Sequence, residues 1–175
     1  MAFCFLKCNE MKVSKPLNIW DRTQLESRIS EVKKNGLSIV FTNGVFDILH
    51  AGHVHYLQET AALADFFIIG LNSDASVQRL DKSPARPLQT QESRAAVLNA
   101  LACVDAVVIF DEDTPKEIIE IITPNVLVKG GDYKIEDIVG GEWVKQHGGI
   151  VTTINFLPGY STTRIEQKII DTFRP

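Results

Sequence analysis

The chain has 175 residues, of which 45% are hydrophobic and 23% charged, and its formal net charge is −4 at pH 7. That length is read as one domain able to bury roughly 70% of its unfolded surface, and the composition is that of an ordinary globular protein. The mildly acidic balance argues against nucleic acid or an anionic membrane as a partner, whereas a nucleotide needs only a few local cations.

At the N-terminus, MAFCFLKC is too short an apolar stretch for a signal peptide. No run of about 18 apolar residues exists anywhere, so no membrane-spanning helix and a cytoplasmic location are expected. Cys4 and Cys8 have C-x-x-x-C spacing without a second pair at zinc-ligand spacing, so no metal site is assigned. Cys103 lies in an apolar helical run and reads as a buried thiol.

Asp21 to Lys34 is amphipathic, opens on Asp-Arg-Thr and stops before Gly36, which predicts a helix. Ser38 to Thr42 is a short apolar run, the first strand. A helix over about His53 to Leu63 follows the loop, and Phe66 to Leu71 is the second strand. Asn72 to Leu80 reads as a polar loop with a helical turn. Asp81 to Gln91, with Pro84 and Pro87, reads as an irregular loop. Glu92 to Cys103 is helical by composition and period, and Ala106 to Phe110 is the third strand.

Thr114-Pro115 is expected to open a helix to Ile122, with Thr as N-cap and Pro in the first turn. Pro124 ends it before the fourth strand, Val126 to Lys129. Glu136 to His147 reads as a helix stopped by Gly148-Gly149, Ile150 to Phe156 as the fifth strand, and Ser161 to Thr172 as the last helix. Five apolar strands alternating with helices predict a Rossmann-like, doubly wound α/β fold: a five-stranded parallel sheet with helices on both faces. Ligands in such sheets bind outside the carboxyl ends of the strands, where the strand order reverses.

One segment carries most of the chemistry. FTNGVFDILHAGHVHYL, Phe41 to Leu57, sets His50-Ala51-Gly52-His53 at a strand-to-helix junction. Unpaired N–H groups and the helix dipole make such a junction a phosphate site. Two imidazoles there can donate to a phosphoryl group whose charge is being redistributed. Gly44 and Gly52 let backbone approach a ligand, and Phe46 reads as a core plug more than a base-stacking ring. Asp47 reads as a loop-orienting or capping residue with a ligand role as the alternative. His55 adds a third imidazole but lies off the His50–His53 face, which argues against a metal cluster. Ser161-Thr162-Thr163-Arg164, after Pro158-Gly159, is an N-cap signal and a candidate second anion cradle. Lys129 ends an apolar strand and precedes Gly130-Gly131-Asp132, so it falls on the ligand-bearing edge. Arg86 and Arg94 are further candidate cations; Arg79 and Lys82 read as loop charges.

The H-x-G-H segment and the STT run resemble the signature of the cytidylyltransferase-like nucleotidyltransferases. Together with GLNSDASVQRL, RPLQTQESRAAVLNAL, VDAVVIFDEDTP, VLVKGGDY and PGYSTTRI, they resemble the D-glycero-β-D-manno-heptose 1-phosphate adenylyltransferases, the ADP-heptose synthases. The likeness runs from about Leu37 to the C-terminus. Residues 1–36 are then an N-terminal extension with a helix, and 37–175 the nucleotidyltransferase domain.

The resemblance implies transfer of AMP from ATP to a heptose 1-phosphate, releasing pyrophosphate, with a product that feeds a lipopolysaccharide core or similar glycan. It implies His50, His53 and Lys129 as catalytic groups. Thr42, Asn43, Gly44, Phe46, Gly52, His53, Arg94, Ser161, Thr162, Thr163 and Arg164 fall on the nucleotide side. Asp47, Asn72, Asp74, Arg86, Lys129, Gly131 and Asp132 fall on the acceptor side. Mg²⁺ is expected on the ATP phosphates, with no protein-held metal. Partners are ATP and the sugar phosphate, and a homodimer is expected. The chain is short for an added sugar kinase, so a separate kinase is expected to make the substrate.

One departure bears on substrate. Glycerol 3-phosphate cytidylyltransferases typically carry R-T-E-G-I-S-T-T, whereas here Leu157-Pro158-Gly159-Tyr160 precedes Ser161. The arginine of that pattern is missing, and Arg164 is a candidate substitute. A cytidylyltransferase acting on an alcohol phosphate remains the alternative, and a non-catalytic nucleotide-binding module is a third reading.

Overall fold

The structure, a computed structural model, describes residues 17–80, 86–131 and 133–174. Its strands are β1 (Ile19–Trp20), β2 (Ile39–Gly44), β3 (Phe66–Asn72), β4 (Ala106–Phe110), β5 (Val126–Gly130) and β6 (Ile150–Ile154). Its α-helices are α1 (Arg22–Lys34), α2 (Ala51–Ala61), α3 (Asp74–Arg79), α4 (Gln91–Asn99), α5 (Lys116–Ile122), α6 (Gly141–Gln146) and α7 (Thr162–Phe173). The strands form one parallel sheet in the order β1-β4-β3-β2-β5-β6.

The alternation of side chains along each strand divides the core in two. Ile39, Phe41 and Ile68 pack with Leu25, Ile29 and Val32 of α1 and with Ile118, Ile119 and Ile122 of α5. Val40, Phe67, Ile69 and Leu71 pack on the other face with Tyr56 and Leu57 of α2 and Ala95 and Leu98 of α4. Both faces are therefore buried, which is why these strands read as nearly continuous apolar runs. α1 belongs to the first of these cores rather than lying apart from the sheet.

The sheet has six strands where five were expected. β1 is two residues long, too short to show any period. Pairing holds it: Val107 N–H donates to the Asn18 carbonyl at 2.9 Å, and Asn18 Nδ2 donates to the Asp105 carbonyl at 3.1 Å. Other boundaries also moved. α4 stops at Asn99, not Cys103, because the chain must turn at Leu101–Val104 for Ala106 to pair with Ile68. α5 is capped by Pro115 without a side-chain bond, so Thr114 is not its N-cap. The expected helix over 136–147 splits into a 3₁₀ turn (Ile135–Asp137) and α6. Gly140 separates them at φ 79°, where a Cβ would come within 2.8 Å of Ile119. β6 ends at Ile154 rather than Phe156.

β2 sits between β3 and β5. The chain leaves β2 for β3 and β4 on one side and returns to β5 and β6 on the other. The strand order therefore reverses at β2, and the crevice lies beyond the carboxyl ends of β2 and β5. Lys129 Nζ, at the end of β5, spans it by donating to the Asn43 carbonyl at the end of β2, 3.2 Å away.

Candidate active site

The two motif histidines stack beside this crevice, and His53 lines it. α2 starts earlier than its sequence pattern suggested. His50 is its N-cap, with extended backbone (φ −144°, ψ 171°), and His50 Nδ1 accepts from the His53 backbone N–H at 3.3 Å. That cap bond swings the ring back over the first turn. The two imidazoles consequently stack, 3.9 Å between centroids and 14° from parallel. Because Nδ1 of His50 accepts, its neutral ring carries the proton on Nε2.

His50 Nε2 and His53 Nδ1 are buried without a partner, and so is Asn43 Oδ1. Among the described residues these are the buried side-chain polar atoms left unsatisfied, and all three lie at this junction. Such groups are costly unless something pairs with them, so the junction holds unused hydrogen-bonding capacity. Burial pushes the His53 pKa down to about 4, aided by the neighbouring His50. Burial also lowers that of His50. Both rings are thus neutral near pH 7 and able to donate a hydrogen bond without carrying charge.

The surroundings fix this pair. Phe46, at φ 49°, is a left-handed non-glycine residue in the β2–α2 loop, and its ring meets His53 edge-on at 5.4 Å. It lies in the core as well as in the cleft wall, as its reading as a plug suggested. Tyr160 lies across His50, 6.5 Å between ring centroids. Gly52 makes that approach possible, since a Cβ there would meet Tyr160 Cβ at 2.9 Å and the His50 ring at 3.1 Å.

Asn43, Gly44, Lys129, Arg86, Thr162 and His53 line the principal cleft. A second recess shares its Asn43–Val45 wall, Lys129 and Tyr133, and extends toward Asn72, Leu80 and Thr114. Lys129 stands between the two and also lies 5.4 Å from the centroid of the Tyr133 ring. Tyr56, Tyr133 and Phe156 line the principal cleft too, although the sequence patterns did not single them out. Tyr56 had a signal, lying three residues beyond His53 on the same helix face. Its hydroxyl bonds Thr42 Oγ1 at 2.7 Å, so Thr42 is buried behind the cleft instead of facing it.

Several expected contact residues turn out to bind the protein itself. Arg94 is 1% exposed. Its guanidinium donates to the carbonyls of Val45, Asn72 and Gln89 and to the Asp74 carboxylate at 2.6 Å. Arg94 is thus held inside the protein, while Asp74, about a third exposed, pairs with it through Oδ1. Asp47, 3% exposed, accepts from the backbone N–H groups of Leu88 and Gln89. It therefore orients the 86–90 loop, as the loop-orienting reading of its sequence position expected. Asn72 donates to Ser76 Oγ. Arg86 forms a bidentate pair with Glu166 of α7. Gly131 is exposed beyond β5, against Asn155. Cys4, Cys8, Lys82 and Asp132 lie outside the described residues.

α7 brings a second helix start to the cleft. Ser161 is its N-cap, with Oγ accepting from the Arg164 N–H at 3.2 Å. Thr162 lines the cleft and makes a long bond to the Ile48 carbonyl in the histidine loop, 3.5 Å. Thr163 and Arg164 are exposed. Among the described residues no three or more metal-ligating side chains cluster, and the cleft carboxylate of Asp47 is already engaged. The donor set therefore does not fit a Mg²⁺ ion held by the protein itself.

A parallel sheet with a crevice at its switch point and two helix starts facing it defines a Rossmann-like α/β protein. The chain belongs to the cytidylyltransferase-like family, whose model matches residues 41–168. It is 49% identical over 152 residues to the bifunctional protein HldE of Syntrophotalea carbinolica, covering 87% of this chain and 31% of that protein. It is 54% identical over 144 residues to HldE of Nitrobacter hamburgensis, covering 82% and 29%. The chain thus spans less than a third of the length of these relatives. Among solved structures, a lipopolysaccharide core biosynthesis protein from Thermoplasma volcanium superposes with a TM-score of 0.57 at 26% identity, covering 70% of this chain and 98% of that one. A pantoate-beta-alanine ligase from Francisella tularensis shares the fold, with a TM-score of 0.56 at 16% identity over 91% of this chain and 80% of its own.

Proposed function

We propose that this domain transfers AMP from ATP to D-glycero-β-D-manno-heptose 1-phosphate, giving ADP-heptose and pyrophosphate. The observation that carries the reading is the stacked, neutral histidine pair, with His50 Nε2 and His53 Nδ1 unpartnered and His53 lining the switch-point crevice beside Lys129. Near-50% identity to proteins named HldE, and a structural neighbour titled for lipopolysaccharide core biosynthesis, support the heptose assignment.

A phosphate oxygen of the acceptor attacks the α-phosphorus in line. The new O–P bond forms as the bond to the β-phosphate oxygen breaks, and pyrophosphate departs. Such chemistry calls for positioning and charge stabilisation more than covalent help. His50 Nε2–H and the His53 ring donate to phosphoryl oxygens as charge shifts toward the leaving group. Lys129, between the two recesses, neutralises charge shared by donor and acceptor. The unpaired backbone N–H groups at the start of α7, with Thr162, take the leaving phosphates. Mg²⁺ would be carried on the nucleotide phosphates, where it would neutralise part of their charge. Two adjoining recesses sharing Lys129 suit a reaction of two phosphorylated substrates.

Residues 37–175 carry the catalytic elements, and β1 and α1 of the preceding segment complete their sheet and core. A homodimer is supported by the exposed apolar stripe of α7, where Ile169 is 51% and Phe173 79% exposed. Use of ATP supports a cytoplasmic site of action; no helix among the described residues is long and apolar enough to cross a membrane. Incubation with ATP, Mg²⁺ and the heptose 1-phosphate tests the reading. The expected product has the mass of ADP-heptose, and unchanged substrates would count against it.

A further inference from the structure

Arg86 and Glu166 pair across the cleft edge, joining the 86–90 loop to α7. Arg86 lines the cleft, and its side chain is only 18% exposed. Nε donates to one Glu166 oxygen at 3.1 Å and Nη2 to the other at 2.7 Å. A bidentate guanidinium–carboxylate pair fixes both distance and orientation, and this one is partly shielded, with Glu166 27% exposed.

The pair joins two segments that depend on it unequally. The 86–90 loop is already fastened to the body through Asp47, by the N–H groups of Leu88 and Gln89, and through Arg94, by the Gln89 carbonyl. α7 is different: none of its residues is buried. Apart from the long Thr162–Ile48 bond, its bidentate tie to the body is Glu166. Glu166 lies on the helical turn that follows the Ser161 cap, so its position sets where that N-terminus points.

We infer that Glu166 is a positioning residue for the polyphosphate. By holding Arg86 on the cleft wall, it clamps the start of α7 opposite the histidine pair, so that guanidinium and helix N-terminus face the same anion. The inference rests on the proposed function only in taking the cleft's ligand to be a nucleoside triphosphate.

The test is calorimetric titration of ATP with Mg²⁺ into the full chain without acceptor, paired with steady-state kinetics. Glu166→Ala should weaken ATP binding about tenfold and raise its KM alike, as loss of one charge-assisted contact does. Turnover at saturating ATP should stay within about threefold, since the reacting groups are untouched. Glu166→Asp should recover part of the affinity. The double variant with Arg86→Ala should bind no more weakly than Arg86→Ala alone, because Glu166 acts through Arg86.

Unchanged ATP affinity in Glu166→Ala would overturn the inference. So would additive losses in the double variant, or a parallel fall of melting temperature and turnover without a change in KM. If the wild-type chain bound no nucleotide, the reading of the cleft would fall first and this inference with it. If the wild type bound normally and only the Glu166 prediction failed, the proposed function would stand.

Discussion

The backbone N–H of His53 donates to Nδ1 of His50, and that one bond sets both the stacking of the rings and the tautomer of the first. A helix cap is thereby turned into a proton assignment. His50 carries its proton on Nε2, which is buried and unpartnered, and His53, half-buried and stacked on it, stays neutral.

Replacing either histidine removes a donor at modest cost to folding, since both rings are only half-buried at the loop-to-helix junction. His53→Ala and His50→Ala should each lower kcat about a hundredfold, the usual cost of one transition-state donor. Circular dichroism and melting temperature should change little. Near-normal turnover in His53→Ala would remove it from the mechanism.

The depressed pKa of His53 gives stability a pH dependence of definite sign. Its unfolded value is 6.5 and its folded value about 4. Above pH 6.5 the ring is neutral in both states and the contribution is complete. As pH falls toward 4 the unfolded chain takes up a proton that the folded one refuses, so stability drops, by at most on the order of 3 kcal/mol. Denaturant titrations at pH 7.5 and 4.5 should differ less in His53→Ala than in the wild type.

Arg94 should matter to folding rather than to phosphate binding. Its side chain is fully buried and satisfies three carbonyls and Asp74. Arg94→Leu leaves those acceptors without their donor and should cost about 3–5 kcal/mol, read from urea unfolding. Arg94→Lys should recover little, because one ammonium cannot reproduce the guanidinium fork.

This residue marks where sequence reading stops. The apolar runs of β2 to β6 were legible because strands buried on both faces need them, and the Ser161 cap was legible from local chemistry alone. The histidine junction was legible as a site because a strand-to-helix turn imposes its own electrostatics. Charged residues such as Arg94, Asp74 and Asp47 carry no local sign of whether they face a ligand or bind backbone far along the chain. The Arg94 bond to Val45 spans 49 residues, and only the packed fold brings its two ends together. β1 escaped for a related reason, since two residues acquire strand character only from their neighbour β4.

Gly52→Ala should separate geometry from stability. Alanine favours helix, yet its Cβ would press on Tyr160 Cβ and on the His50 ring. The melting temperature should fall by a few degrees at most, the helix gain offsetting part of the clash, while kcat/KM should fall at least about tenfold as the stacked pair is displaced. Equal activity would mean that the Tyr160 loop yields freely.

The most direct measurement is pyrophosphate release with ATP and CTP, each paired with D-glycero-β-D-manno-heptose 1-phosphate and with glycerol 3-phosphate. Release with ATP and the heptose phosphate alone is the expected result. Release with CTP and glycerol 3-phosphate would contradict the account, and so would folded protein that binds nucleotide yet turns over no pair.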